Sequence, residues 1–149
     1  MGVIYGYYAA ADDAHAAGAI VREDDEPFGA GYDEVEVKGI DPMVDLLPAE
    51  TLITGRSEEA VKADPRHAEL IAMVAEGEVV SVSLTDTFRD ALASFDRGLL
   101  DAVAEGWATA GGFSTPPDPS DLADFLRELS DLAERAVARG HRLYCWICV

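Results

Sequence analysis

Residues 142–149 read Arg-Leu-Tyr-Cys-Trp-Ile-Cys-Val (RLYCWICV), a run that is nearly apolar on both of the alternating faces a strand presents. Such a segment needs cover on both sides, so it reads as a central strand with sheet neighbours and a helix against it. Its counterpart is VIYGYY, residues 3–8, which is β-branched and aromatic. With a period of two, Val3, Tyr5 and Tyr7 face one way, and Ile4, Gly6 and Tyr8 the other. Gly6 leaves a gap that a neighbouring group can enter. Two apolar strands at the ends, with helical segments between them, predict an α+β fold. Its small sheet, mixed or antiparallel, includes the N- and C-terminal strands and packs against several helices.

The intervening segments carry their own signals. Asp12 or Asp13 caps a helix whose thin apolar face is Ala17, Ile20 and Val21. EVEVK, 34–38, alternates as a short half-solvated strand. Asp41-Pro42 opens a turn or two of helix through Leu47, with Pro48 as its stop. Asp64-Pro65 repeats that device and predicts a helix over 65–77, with Leu70, Ile71 and Val74 as its stripe and Gly77 as its end. VVSVSL, 79–84, reads as an interior strand. Thr85 or Asp86 caps a helix through Phe88, Leu92 and Phe95, and Asp96 restarts the chain toward Trp107. Ser120 is read as the cap of the strongest helix, whose stripe runs from Leu122 to Val137 and ends at Gly140. No repeat or linker divides the chain, so residues 1–149 form a single domain.

With 149 residues and 15.9 kDa, the chain should fold to an accessible surface of about 7,300 Å², burying roughly two thirds of its extended surface. A core is therefore within reach without disulfide staples. The 29 acids against 11 Lys and Arg give a net charge of −18, and the acids are spread over loops, caps and helix faces along the whole chain. No segment offers the basic footprint that a phosphate backbone needs, so nucleic acid is excluded as a direct ligand. A polybasic membrane anchor is excluded on the same ground. The start lacks a basic n-region, and no stretch reaches 18 apolar residues, so the expectation is a cytoplasmic protein with no membrane partner.

Four segments in order carry a family resemblance. They are MGVIYGYY followed by a short helix; a stretch from Ile40-Asp41 to the LITG of 52–55; VSLTDTFRDALASFDRGLLDAVAEGW at 82–107; and LADFLRELSDLAERAVARGHRLYCWICV from 122 onward. Together they resemble the bacterial YfbM-like family, small α+β proteins of unknown function. The resemblance implies the fold and no particular activity. Family members often carry a Trp-Asp and a Leu-His in the second segment. Here Val44-Asp45 stands in place of the Trp-Asp, and LPAETL replaces the stretch around the histidine.

Cys145 and Cys148 form a C-x-x-C, but on a strand such a pair points to opposite faces, so both read as buried, inert thiols. No Ca²⁺ loop, phosphate loop or H-E-x-x-H occurs, and no metal or cofactor is expected. His141 and His15, each with a carboxylate as general base and a tyrosine such as Tyr7 or Tyr144 as donor, are the candidates for a small hydrolase or transferase. The leading expectation is a binding module, because a surface at −18 attracts basic proteins or peptides. Its candidate residues are Asp24, Asp25, Glu26 and Tyr32 from the acidic loop 22–34, with Phe113 and Trp107 from or beside the loop 109–121. These aromatics serve either as core or as an aromatic cleft that the two loops ring. The chain is read as a monomer, or as a homodimer joined through an edge strand.

Overall fold

The computed structural model describes residues 2–21, 26–110, 113, 115 and 117–149. RLYCWIC is strand β5 (Arg142–Cys148), and it lies beside β1 (Ile4–Ala10), so the two terminal strands adjoin. The sheet is completed by β2 (Glu34–Lys38), β3 (Leu70–Val74) and β4 (Val79–Ser83), in the order β2-β1-β5-β4-β3. All four pairings are antiparallel. The α+β expectation holds, with several helices against a five-stranded sheet.

Register sorts the side chains. Tyr5 and Tyr7 sit opposite Ile147 and Cys145, and all four join the main core with Ala9, Val82 and Leu143. Helices α4 (Asp86–Ser94), α5 (Leu100–Ala110) and α6 (Pro119–Arg139) cover this face, with α2 (Leu47–Thr54) beside them. The stripe of α6 supplies Leu122, Phe125, Leu126, Leu129, Leu132, Ala133 and Ala136, all buried. Fully burying a large apolar side chain contributes about 1.5–3 kcal/mol, so this stripe is a principal source of stability.

The opposite face carries Tyr8, Ala10, Tyr144 and Trp146, covered by α1 (Asp13–Ala17), a 3-10 turn over Gly18–Ile20, and Phe28 and Tyr32. Gly6 is needed here. A Cβ on it would overlap Cε2 of Trp146, because the indole lies across the strand at that position. The indole N–H donates to the Glu34 carboxylate at 2.9 Å. Asp12 caps α1 through the His15 amide, and Thr85 caps α4. The accessible surface is 7562 Å², close to the value expected from mass alone.

Three expectations are corrected. Residues 65–77 are not a helix: a turn after Asp64 leads into β3, which pairs with β4, with a bulge between Leu70 and Ala72. A five-residue apolar run fits either period, and pairing with β4 decides it. Ala68, at φ 52°, breaks any helix begun at Pro65. Second, Pro48 does not stop a helix but lies in the first turn of α2, which runs on to Thr54 and ends at Gly55, at φ 74°. A proline is tolerated there because the first-turn amides have no helical acceptor. A further short helix, α3 (Glu58–Ala63), follows with Ser57 as its cap. Third, α6 is capped by Asp118, whose carboxylate accepts from the Ser120 amide and hydroxyl.

Candidate functional site

The strand EVEVK sits at the end of the sheet. Its register places Val37 and Val35 across from Tyr5 and Tyr7, so both valines pack on the α6 face. Glu34, Glu36 and Lys38 therefore alternate onto the opposite face. Two hollows follow one another along β2 and α6. The first, about 330 Å³, is lined by Glu34, Val35, Glu36, Glu128, Asp131 and Arg135. Next to it, a cavity of about 490 Å³ opens at Val37 and Lys38 and reaches Ile40, Phe113, Leu122 and Phe125, with Asp45 and Asp121 also on its wall.

Local chemistry builds the cavity. Gly39, at φ 77°, turns the chain out of β2, and the Tyr7 hydroxyl donates to the Ile40 carbonyl at 2.7 Å. The Asp41 carboxylate accepts from the amides of Met43 and Val44, and Asp45 accepts from the Asp41 amide at 2.9 Å. The Trp107 indole donates to the Asp45 carbonyl at 2.6 Å. Rings continue the wall inward: Phe113 lies 5.9 Å from Trp107, Trp107 lies 6.3 Å from Phe125, and Phe125 meets the edge of Tyr7 at 5.3 Å. Burial raises the Tyr5 hydroxyl above its usual range, with Asp41 and Asp45 adding to the effect. An apolar recess with carboxylates at its wall suits a group that is apolar in body and cationic at its margin.

The residues expected to bind divide between the two faces of the sheet. Phe113 lines the cavity, while Trp107 is fully buried behind it and acts as support. Tyr32 lies across the sheet, where it packs edge-on against Tyr8 at 5.5 Å. The loops bearing Tyr32 and Phe113 therefore do not ring one aromatic cleft. Among the acids of that first loop, Asp24 and Asp25 lie outside the described residues, and Glu26 is exposed.

The catalytic candidates are divided too. Tyr7 is buried on the α6 face, and Tyr144 is buried on the other. His15 and His141 share a hollow of about 380 Å³ with Tyr32, Asp33 and Arg139. There the Tyr32 hydroxyl donates to the His15 carbonyl at 2.6 Å, and Asp33 is gripped by Arg135 at 2.7 and 2.9 Å. Arg135 holds the Asp33 carboxyl below the usual carboxylate range. Nδ1 of His15 stands 2.8 Å from the carboxylate of Asp12, the cap of α1, and both side chains are mostly exposed.

A cluster unforeseen in the sequence joins Asp13, Arg66 and Tyr144. Arg66 grips Asp13 at 2.9 and 3.0 Å, the Tyr144 hydroxyl donates to Asp13 at 2.7 Å, and the guanidinium lies 5.7 Å from the centre of the Tyr144 ring. Arg66 sets the depressed Asp13 carboxyl, and burial followed by Asp13 raises the Tyr144 phenol. Asp13 and Tyr144 are 131 positions apart, so no local pattern announces the cluster. Cys145 is buried and its thiol is pushed up by burial, whereas Cys148 is only half-buried, and they join opposite faces. Among the described residues no three His, Cys, Asp or Glu side chains converge as metal ligands would. No described helix is long and apolar enough to cross a membrane. Comparison with protein-family models, with curated proteins and with solved structures returns no match.

Proposed function

We propose that this protein is a non-catalytic acidic binding module, of the inhibitor, immunity or adaptor type, acting in the cytoplasm on a basic protein or peptide. The observation that carries the reading is the pair of consecutive hollows along β2 and α6. Four acids line them, Asp45, Asp121, Glu128 and Asp131, against the cations Lys38 and Arg135, while Glu34 and Glu36 lie on β2 but alternate onto its other face. Arg135 is already paired with Asp33, and Asp131 is paired with Arg97 at 3.2 Å, so among the described residues the acids on these walls that form no ion pair are Asp45, Asp121 and Glu128. The surplus of acid attracts a cationic partner and speeds its docking, while the apolar recess beside it provides desolvated contact. In this reading the chain is also a YfbM-like domain, and Asp45, which keeps the acid of the family's Trp-Asp while Val44 stands for the Trp, is on the cavity wall.

A hydrolase or transferase is the weaker reading, because Asp12 and Asp33 are engaged as cap and ion pair where a general base would need a free partner. A randomised peptide library tests the leading one. At low salt the protein should retain a pool enriched in Lys and Arg, and the E128K/D131K variant should retain at least tenfold less of it. Raising the salt should thin the pool, since charges are screened over about 10 Å at 0.1 M. Retention without basic enrichment, or equal retention by the variant, overturns the proposal.

A further inference from the structure

We infer that the partner binds as an added β-strand along the outer edge of β2, with one apolar side chain in the 490 Å³ cavity and basic side chains around it. This rests on the acidic-module reading and specifies the form of its ligand. β2 is an end strand, so one row of its backbone N–H and C=O groups faces away from β1. Both hollows lie on this strand, the acidic one at residues 34–36 and the mixed one, with Val37, Ile40, Phe113, Leu122 and Phe125 among its lining, at 37–38. An extended chain advances about 3.3 Å per residue and returns to the same face every second residue. A strand laid beside β2 thus brings one side chain to the cavity near Val37. Its next on that face, about 7 Å away, meets Glu128 and Asp131.

Its intervening residues fall on the face where Glu34 and Glu36 alternate, so basic residues suit those positions too. The recognised pattern is an apolar residue with Lys or Arg at neighbouring positions and two residues away, in an extended segment of about five residues. Charge also selects the occupant. A second copy of β2 paired antiparallel about Glu36 would set Glu36 against Glu36 and leave Glu34 only a single lysine to face, so it neutralises less of this row than a basic strand does. A basic strand meets the same row with opposite charge.

The test uses the whole protein and a nine-residue lysine-rich peptide with one central phenylalanine. Two further versions carry N-methyl groups on either the odd or the even backbone amides, and a fourth replaces phenylalanine by alanine. In strand addition one methylated version loses at least tenfold in affinity while the other stays within threefold, because only alternate amides face β2. Backbone amide shifts should centre on residues 34–38. The preference for phenylalanine over alanine should be at least fivefold and should vanish in Phe113→Ala. If both methylated peptides bind as the parent does, strand addition is wrong while the acidic-module reading stands. A parent that binds no better than its glutamate-substituted control also overturns strand addition, and the library selection then decides the module reading independently.

Discussion

Gly6 and Asp13 show how single residues set this fold. The Trp146 indole lies where a Gly6 side chain would be, so Gly6→Ala forces the ring, and its bond to Glu34, out of place. Overpacking of this kind costs about 1–3 kcal/mol, and chemical denaturation should show that loss with red-shifted tryptophan emission. An unchanged midpoint would contradict the placement of the ring. Asp13 has the opposite role, as an acceptor for two partners. Its carboxyl is depressed by Arg66, so its contribution is fully present above the usual carboxylate range and is lost as pH falls through its folded value. Asp13→Asn should cost about 1 kcal/mol at pH 7, a modest figure because the carboxylate is about half exposed. Denaturation at pH 7 and pH 3 should show wild type and variant converging in acid. A gap that widens in acid would refute the assignment. Glu34 and Glu50 act in the other sense, because burial raises both carboxyls.

At the level of elements, legibility followed length and periodicity. The 21-residue α6 was plain from its stripe and its closing glycine, and β1, β4 and β5 from their β-branched and aromatic runs. LIAMV is not legible from its own residues because five apolar residues fit a helix or a strand equally, and what decides between them is β4, which lies beyond the turn. The same limit applies to the candidate site. EVEVK was legible as a half-solvated strand, but its position at the sheet edge beneath α6 depends on strand order, which no local pattern encodes. Phe113 was picked out, yet its neighbours in the cavity come from residues 37–45 and 117–125. Glu128 and Asp131 lie off the apolar stripe of α6, and the fold places them beside an open strand.

For the molecule as a whole, the balance of charge decides the response to salt. With 29 acids and 11 Lys and Arg, negative charge exceeds positive by 18 however the ion pairs are arranged. Exposed pairs such as Lys62–Glu58 and Arg127–Asp101 contribute little each, about 0–1 kcal/mol. Screening therefore removes more repulsion than attraction. Raising NaCl from 10 to about 300 mM should lift the melting temperature by several degrees, at about 2–4 °C per kcal/mol for a chain of this size. Calorimetry showing a fall in the melting temperature would mean that ion pairs outweigh self-repulsion.

The place of β5 also governs how this chain can acquire its structure. β5 alone joins the β2–β1 pair to the β4–β3 pair, and its register matches Ala10 with Arg142. Each half is built from comparatively local contacts, whereas the bridge closes a loop of more than 130 residues, whose entropy must be lost before any pairing repays it. On a ribosome the two halves of the sheet cannot pair through their backbones until residues 142–148 have emerged. The sheet is thus completed only after its other strands have been made, and its closure is the pairing with the longest loop in the molecule.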